Sequence, residues 1–584
     1  MVHAMKNKNS KRGSSAPAKK SARPRPVNGH KYIFVIGGVM SGVGKGIVTS
    51  SIGTLLEARG VHVNTVKVDP YLNIDAGTMN PTEHGEVFVL KSGLETDQDL
   101  GNYERFLNRD LHSEDTITSG MVYQAVLDNE RSLKYGGKCV EAIPHVQDEI
   151  IRRFKAAAAS NGSDVSVIEI GGTVGDFQNA LFIEAARVMH MQNPDDVLFI
   201  MVSYLPVPGK LGEMKTKPTQ NAVRALNAYG VQPDIIIARS EVPLDEKRRE
   251  KLSLFCNASK DAVISAPDVE SIYDVPVNFK EAGLDTLLLK LLKLNGTHSS
   301  KQGFTAWKNF VKKTKEAKKV IDIAIVGKYF DTGDFVLSDA YLSVIEAIKF
   351  SAYREGMKPK IHWLNSKDFE KNRVPLSSLD QYDGIIVPGG FGESGIEGKI
   401  KVIQYAREHK IPYFGLCYGM QLMLVEYARN VLKLPHAHTV EINPRTPNPV
   451  INVMPEQVEK IARGRYGGTM RLGHYPANLK KGTIARNAYG VPRIEERHRH
   501  RYEVNPAYVK QFEDGGFVFS GVSPDGVLME IAELPESAHP FMLGTQFHPE
   551  LQARPLRPHP LFTAFIKACL RADTHRQAAG KRTK

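Results

Sequence analysis

Cysteine is scarce in this chain: four in 584 residues, at positions 139, 256, 417 and 569. No two stand in a C-x-x-C spacing, which argues against a disulfide framework and a clustered zinc site and points to a reducing compartment. Long hydrophobic runs are missing too. No apolar stretch reaches about 18 residues, so nothing is expected to span a membrane. The N-terminus also lacks the apolar core of a secretory signal. Acid is missing at both ends. Residues 1–30 hold eight Lys or Arg, residues 574–584 hold four more, and neither segment holds an Asp or Glu. The net charge of +13 therefore sits in two tails and leaves the body between them close to neutral, which argues against nucleic acid as a partner. Both tails are poor in large apolar residues and are expected to be disordered. The N-terminal arm has the composition of a nuclear signal or a polyanion contact, which leaves room for a nuclear fraction beside the expected cytoplasmic location.

What is present is an ordinary globular composition, 42% hydrophobic, on a chain too long for one core. From Lys31 the pattern reads strand, glycine loop, helix, strand: a β-rich run at 32–36, a helix from about 45 to 59 stopped at Gly60, and a second run at 61–68. Further buried-strand candidates lie at 164–172, 195–206 and 233–240. Strands alternating with helices predict a mostly parallel sheet covered on both faces. Residues 299–320 are polar and basic and are expected to connect two domains, partly as helix. A fresh α/β pattern follows and ends in a helix near 559–572. The expected organisation is a tail (1–30), an α/β domain (31–298), a linker (299–320), a second α/β domain (321–573) and a tail (574–584), both domains doubly wound.

Two stretches carry chemistry. The first is "GGVMSGVGKGI" at 37–47. It departs from the phosphate-loop spelling G-x-x-x-x-G-K-[ST]: five residues separate Gly38 from Gly44, and Gly46 follows Lys45 where a hydroxyl is expected. The context, strand before and helix after, still suits an anion held by backbone N–H groups with Lys45 as a point charge. Without the hydroxyl a metal must be held elsewhere. "ETDQDLGNYERF" places Asp97 and Asp99 two apart, and Glu169 ends an apolar run. Strand ends face the ligand crevice in open α/β sheets, so Asp99 and Glu169 are candidate magnesium ligands. "GEMKTKPTQ" adds Lys215, Lys217, Thr219 and Gln220, a set suited to a second polyphosphate.

The second stretch is "GLCYG" at 415–419, a G-x-C-x-G between a strand and a helix. That is the form of a nucleophile elbow, which exposes the side chain at a helix N-terminus where the dipole favours thiolate. A thiolate nucleophile needs a base and the base an orienting group. "QFHPE" supplies His548 and Glu550, two apart, so an extended backbone is expected to put them on one face. "VPGGFG" at 387–392 offers backbone N–H groups for an oxyanion.

"GLCYGMQ", "FHPE" and "PGGFG" resemble a class I glutamine amidotransferase domain. "GGVMSGVGKGI", "VKVDPYLNIDAGTMNPTEHGEVFV", "ETDQDLGNYERF", "EIGGTVGD", "GEMKTKPTQ" and "ERHRHRYEVN" resemble the CTP synthase family, collinearly from about residue 31 to 570. The resemblance implies an enzyme that phosphorylates the 4-oxygen of UTP with ATP and displaces that phosphate with ammonia drawn from L-glutamine at Cys417, His548 and Glu550. It implies magnesium with the ATP, no prosthetic group, GTP as activator, CTP as feedback inhibitor, and a homotetramer that stacks into filaments. By position, Gly42, Val43, Gly44, Lys45, Gly46 and Ile47 match the ATP-phosphate loop. Lys67 matches a lysine serving phosphoryl transfer, Asp99 and Glu169 the metal ligands, and Asp268 and Val269 the adenine contact. Ser41, Lys215, Thr216, Lys217, Pro218, Thr219, Gln220 and Lys251 match the pyrimidine-nucleotide site, with Asp176, Phe177 and Gln178 against CTP. Gly390, Tyr418, Gly419, Met420, Gln421, Glu441 and Arg501 match glutamine binding. His84 resembles a passage-lining residue and Arg471 one tied to GTP activation.

Three positions depart from the family pattern: Phe177 and Gln178 stand where it has "IE", Ser394 where Arg is common, and Tyr418 where Leu is usual. The first is expected to shift feedback inhibition. Two other readings stay open at this point. One is a different amidotransferase joined to a phosphate-loop domain, such as a cobyrinic-acid amidase, against which "KTKPTQ" and "DPYLNIDAGTMNP" favour UTP. The other is a filament-forming or polyanion-binding protein whose tails matter more than its chemistry.

Overall fold

The computed structural model describes residues 29–209, 212–294, 301–327, 338–390, 392–454, 457 and 468–578. Of the two tails expected to be disordered, residues 1–28 and 579–584 fall outside these, while 574–578 are helical and correct that expectation. At their inner borders His30 is already packed, bonding Ser163 O and Ser166 Oγ at 2.8 Å each, and the final helix continues to Ala578.

Seven strands build the first sheet: Lys31–Gly38 (β1), Val63–Asp69 (β2), Thr116–Thr118 (β3), Val165–Ile170 (β4), Val197–Tyr204 (β5), Ile235–Ser240 (β6) and Val263–Pro267 (β7). Their order is β3-β2-β4-β1-β5-β6-β7 and every pairing is parallel. Nearly every residue of β1, β2, β4 and β5 is buried, which is why they read as continuous apolar runs rather than alternating ones. Helix α1 (Lys45–Ala58) follows β1 and helix α2 (Asp99–Leu107) packs against it. Helix α3 (Lys217–Ala228) covers the other face, its Ala222, Val223 and Leu226 in the core with Phe34 and Met201.

The region expected as a connection is a 16-residue helix, α4 (Lys301–Glu316). Its Trp307, Phe310 and Val311 are buried with Tyr273 of the first half and Phe350 of the second, and Trp307 Nε1 donates to Tyr273 O at 3.0 Å. Burial of three large apolar side chains fixes this segment to both halves.

The second sheet has nine strands: Lys319–Gly327 (β8), Met357–Asn365 (β9), Gly384–Val387 (β10), Tyr413–Leu416 (β11), Arg471–Leu479 (β12), Arg493–His500 (β13), Val518–Val522 (β14), Met529–Glu533 (β15) and Met542–Thr545 (β16). The order is β9-β8-β10-β11-β16-β15-β14-β12-β13. The pairings are parallel from β9 to β16 and antiparallel from β16 to β13. Helix α5 (Tyr418–Asn430) springs from β11, and α6 (Pro560–Ala578) closes the chain with Phe562 and Phe565 against Phe414. The antiparallel half carries β13 to the first domain, where Arg497 and Arg499 end among side chains of residues 88–110.

Candidate active sites

Cys417 sits at the hinge between β11 and α5 with φ 49° and ψ −97°, a strained conformation for a residue bearing a Cβ. The flanking glycines make the turn physically possible. A Cβ on Gly419 would lie 2.1 Å from Val387 O, and one on Gly415 would lie 2.7 Å from the Gly419 carbonyl carbon. The turn is locked by the Cys417 N–H donating to Thr545 O at 2.6 Å. Cys417 is 6% exposed and lines a cavity, and its sulfur receives Gln546 Nε2 at 3.7 Å.

His548 Nδ1 bonds Glu550 Oε1 at 2.7 Å, so the two residues expected to act together do meet. The expected reason is corrected. His548 has φ −108° and ψ 83°, and Pro549–Gln552 is a 3-10 turn, not an extended strand. The turn folds Glu550 back onto the ring. The other ring nitrogen, Nε2, is buried, and the ring's interactions on that side are with the Cys417 sulfur. The ring edge reaches over Gly389, where a Cβ would lie 2.8 Å from His548 Cε1 and 3.8 Å from Cys417 Cβ. Burial lowers the His548 pKa, but the Glu550 carboxylate and the Cys417 sulfur outweigh it and raise it to about 10.

Cys417, His548 and Glu550 share a cavity of about 960 Å³. Gly390, Tyr418, Gln421, Glu441 and Arg501, five of the residues matched to glutamine binding, line it as well. Gln421 Nε2 donates to Tyr502 O at 3.1 Å, Gly392 N to Glu441 Oε1 at 3.1 Å, and Arg501 Nη1 to Thr469 Oγ1 at 2.8 Å. Gly419 and Met420 are buried in the first turn of α5 and serve its packing. Phe391, within the expected oxyanion loop, lies outside the described residues. The opposite wall of the cavity comes from the first domain: Gly77 to Pro81, Glu86 and Val87. Glu86 was not singled out by any motif. Its carboxylate accepts the Ser343 N–H at 3.1 and 3.2 Å, and burial, aided by Glu550, pushes its pKa up to about 7 against the pull of Arg105.

The second constellation lies at the strand ends of the first sheet. Lys67 pairs in register with Glu169, and Lys67 Nζ meets Asp99 Oδ2 at 2.5 Å and Asp69 Oδ1 at 2.9 Å. Lys45 Nζ donates to Gly172 O at 2.7 Å. A Cβ on Gly46 would lie 2.5 Å from Asp99 Oδ1 and 3.5 Å from Glu169 Oε2, so both carboxylates converge on that glycine. Burial raises the Glu169 pKa to about 7, Asp99 adds to it, and the two lysines oppose it. Among the described residues no three His, Cys, Asp or Glu groups gather to hold a metal alone. Two carboxylates beside a phosphate loop nevertheless suit Mg2+, which takes one or two carboxylates with substrate phosphates.

The remaining matched residues spread around this sheet edge. Gly42, Val43, Gly44 and Ile47 form the loop and the start of α1, with Ser41 exposed at its tip. Asp268 Oδ1 takes Arg239 Nη2 at 2.7 Å just past β7, and Val269 follows it. Thr216, Thr219 and Gln220 are buried: Thr219 Oγ1 accepts from Ser203 at the end of β5 at 2.8 Å, and Gln220 Nε2 donates to Thr216 Oγ1 at 3.1 Å. Lys217 and Lys251 are exposed, Pro218 opens α3, and Lys215 is paired with Glu213 at 2.6 Å. Asp176 accepts from Thr173 N at 2.6 Å, while Phe177, at 95% exposure, and Gln178 stand in solvent. His84 is exposed at the end of the short helix that begins at Pro81. Arg471 is not open to a ligand. It is buried between Glu530 at 2.7 Å and Glu503 at 3.2 Å.

A family model for the CTP synthase N-terminus matches residues 31–294, and one for the class I glutamine amidotransferase matches residues 336–568. A CTP synthase of Thermococcus kodakarensis is 50% identical over 540 residues, 92% of this chain and 98% of that protein. The chain belongs to the CTP synthase family. A CTP synthase of Halalkalibacterium halodurans is 48% identical over 544 residues, 93% of this chain and 99% of that one. A solved glutaminase domain of a Trypanosoma brucei CTPS with bound acivicin is 31% identical, covering 43% of this chain and 94% of its own, with a TM-score of 0.39. As a member of the CTP synthase family the chain is a ligase that forms CTP from UTP with ammonia derived from glutamine. No helix among the described residues is long and apolar enough to cross a membrane.

Proposed function

We propose that Cys417 attacks the glutamine amide while His548 supplies the proton to the leaving ammonia, with Glu550 holding the ring. What supports this is the elbow, the 2.7 Å His548–Glu550 bond and the raised His548 pKa, which keeps a proton on the ring at neutral pH. Arg501 and Glu441, on the wall of the same cavity, suit the α-carboxylate and α-amino group of glutamine. Ammonia leaves toward the wall formed by Gly77 to Pro81. Passage through an enclosed space keeps it neutral and locally concentrated.

In the synthase half, ATP sits on the loop at 41–47 and its phosphates face Lys45 and Lys67. UTP takes the segment 215–220, next to the end of β5. Mg2+, when bound, neutralises phosphate charge, and Asp99 and Glu169 would hold it. Lys67 is positioned to steady the phosphoryl group moving to the UTP 4-oxygen, after which ammonia displaces phosphate at C4. GTP activation, CTP feedback inhibition and a homotetramer belong to the same reading. Exposed Tyr123, Leu127 and Leu133 on and just past one helix suit an assembly.

The single cavity that Cys417 shares with first-domain residues carries the reading. The test is CTP formation from UTP, ATP and Mg2+ with either glutamine or ammonia as nitrogen source. Native protein uses both, and Cys417→Ala loses only the glutamine-dependent rate. A folded Cys417→Ala protein that fails with ammonia, or still works with glutamine, overturns the division of labour.

A further inference from the structure

Charged side chains are buried where the two domains meet. The side chains of Glu104, Arg497 and Arg554 have no solvent exposure, and Asp110 stands at the edge. Arg497 gives Nη1 to Glu104 Oε2 at 2.8 Å and Nη2 to Asp110 Oδ1 at 2.9 Å. Arg554 gives Nη2 to Glu104, and to Asp110 at 3.3 Å. Buried charges persist only when paired and hydrogen-bonded, so the cluster fixes whatever is attached to it.

What is attached is the backbone around the His548–Glu550 pair. The carbonyl of Arg497 accepts the His548 N–H at 2.8 Å. Arg554 Nη1 donates to Leu551 O at 2.9 Å, inside the turn that carries Glu550. One carboxylate of the first domain thus reaches, through two arginines, the main chain on both sides of the pair in the second. Glu104 itself is held in the middle of α2 and accepts the Leu111 N–H at 2.9 Å. Its neighbour Arg105 also crosses, with Nη2 donating to Ser343 Oγ at 2.6 Å.

We propose that Glu104 is a positioning residue for glutamine hydrolysis, setting His548 and Glu550 against Cys417 from the other domain. The proposal rests on the reading of those three residues as the hydrolytic set. Because His548 must meet both the thiol and the departing nitrogen, a displacement of a fraction of an ångström costs turnover more than binding. Glu441 lies on another segment, and Arg501, just past the end of β13, has its own anchors in Thr469 Oγ1 at 2.8 Å and Gln457 Oε1 at 3.0 Å, so the glutamine contacts stay in place.

The experiment measures glutamine-dependent and ammonia-dependent CTP formation in the full chain for native protein, Glu104→Asp and Arg554→Lys, with Cys417→Ala as control. Glu104→Asp keeps the charge and shortens the arm. Arg554→Lys keeps a partner for Glu104 and loses the fork to Leu551 O. The ammonia-dependent rate reports folding of the same molecules. The expected result is a glutamine-dependent kcat lowered about tenfold or more in at least one variant, with KM for glutamine and the ammonia-dependent rate within about threefold of native. Absence of a selective loss from both variants, whether the two rates fall in parallel or neither falls, overturns the proposal. If Cys417→Ala retains glutamine-dependent synthesis, the hydrolytic reading itself falls; if it behaves as stated and both variants match native protein, only the role of Glu104 falls.

Discussion

His548 is a histidine whose surroundings have reversed the usual effect of burial. Burial alone favours the neutral ring, yet Glu550 and Cys417 lift its pKa to about 10. The consequence for stability has a definite sign. A folded-state pKa above the ordinary value of about 6.5 contributes stability that is complete below that pH and lost as pH rises through about 10. The difference in urea-unfolding stability between native protein and His548→Gln is therefore expected to be largest below about pH 6.5 and to shrink steadily as pH rises from there toward about 10. A difference that grows with pH would mean the ring is neutral at rest. The sequence discloses the participants here but not their posture. Cys417 is legible because two glycines flank it between a strand and a helix. His548 and Glu550 are legible as a spacing of two, whereas the turn that joins them depends on Pro549 and on the neighbouring β13 strand, which no local pattern reports.

At the scale of elements, the unusual spelling of the phosphate loop has a cause in α2. The usual loop carries a hydroxyl after its lysine, but here that position is filled by the carboxylate of Asp99, which crowds Gly46. Gly46→Ser restores the usual spelling and places a Cβ about 2.5 Å from Asp99 Oδ1, so one of the two must move. Ammonia-dependent CTP formation is expected to fall by about tenfold or more with the fold intact, as loss of a positioned charged group does. A rate equal to native would show that Asp99 is not needed where it stands. Helix α2 shows in the sequence only through Asp99, a candidate ligand. Its second role is not legible, because Glu104 meets Arg497 and Arg554 across 393 and 450 residues of chain. The strand pattern fails for the same reason in the antiparallel half of the second sheet. Strands β12 to β15 take their order from long-range pairing, and helix α4 shows as polar and basic because only one face of it is buried.

Over the whole molecule, the two constellations lie far apart in sequence, and the cavity at Cys417 is walled by both domains. Its walls come from the elbow, the 3-10 turn and the Gly77 to Pro81 segment, so filling it from the first-domain side leaves the Cys417 elbow and the phosphate loop untouched. Met79→Trp adds bulk on that side without removing any hydrogen-bonding side chain. Three rates are then expected to part company: glutamine hydrolysis and ammonia-dependent CTP formation stay within about threefold of native, while CTP formed per glutamine hydrolysed drops several-fold as ammonia escapes to solvent. Measuring ammonia released to the medium alongside CTP decides the matter. Native protein should release little, Met79→Trp much more, and an unchanged ratio would mean that nitrogen travels by a route this cavity does not provide.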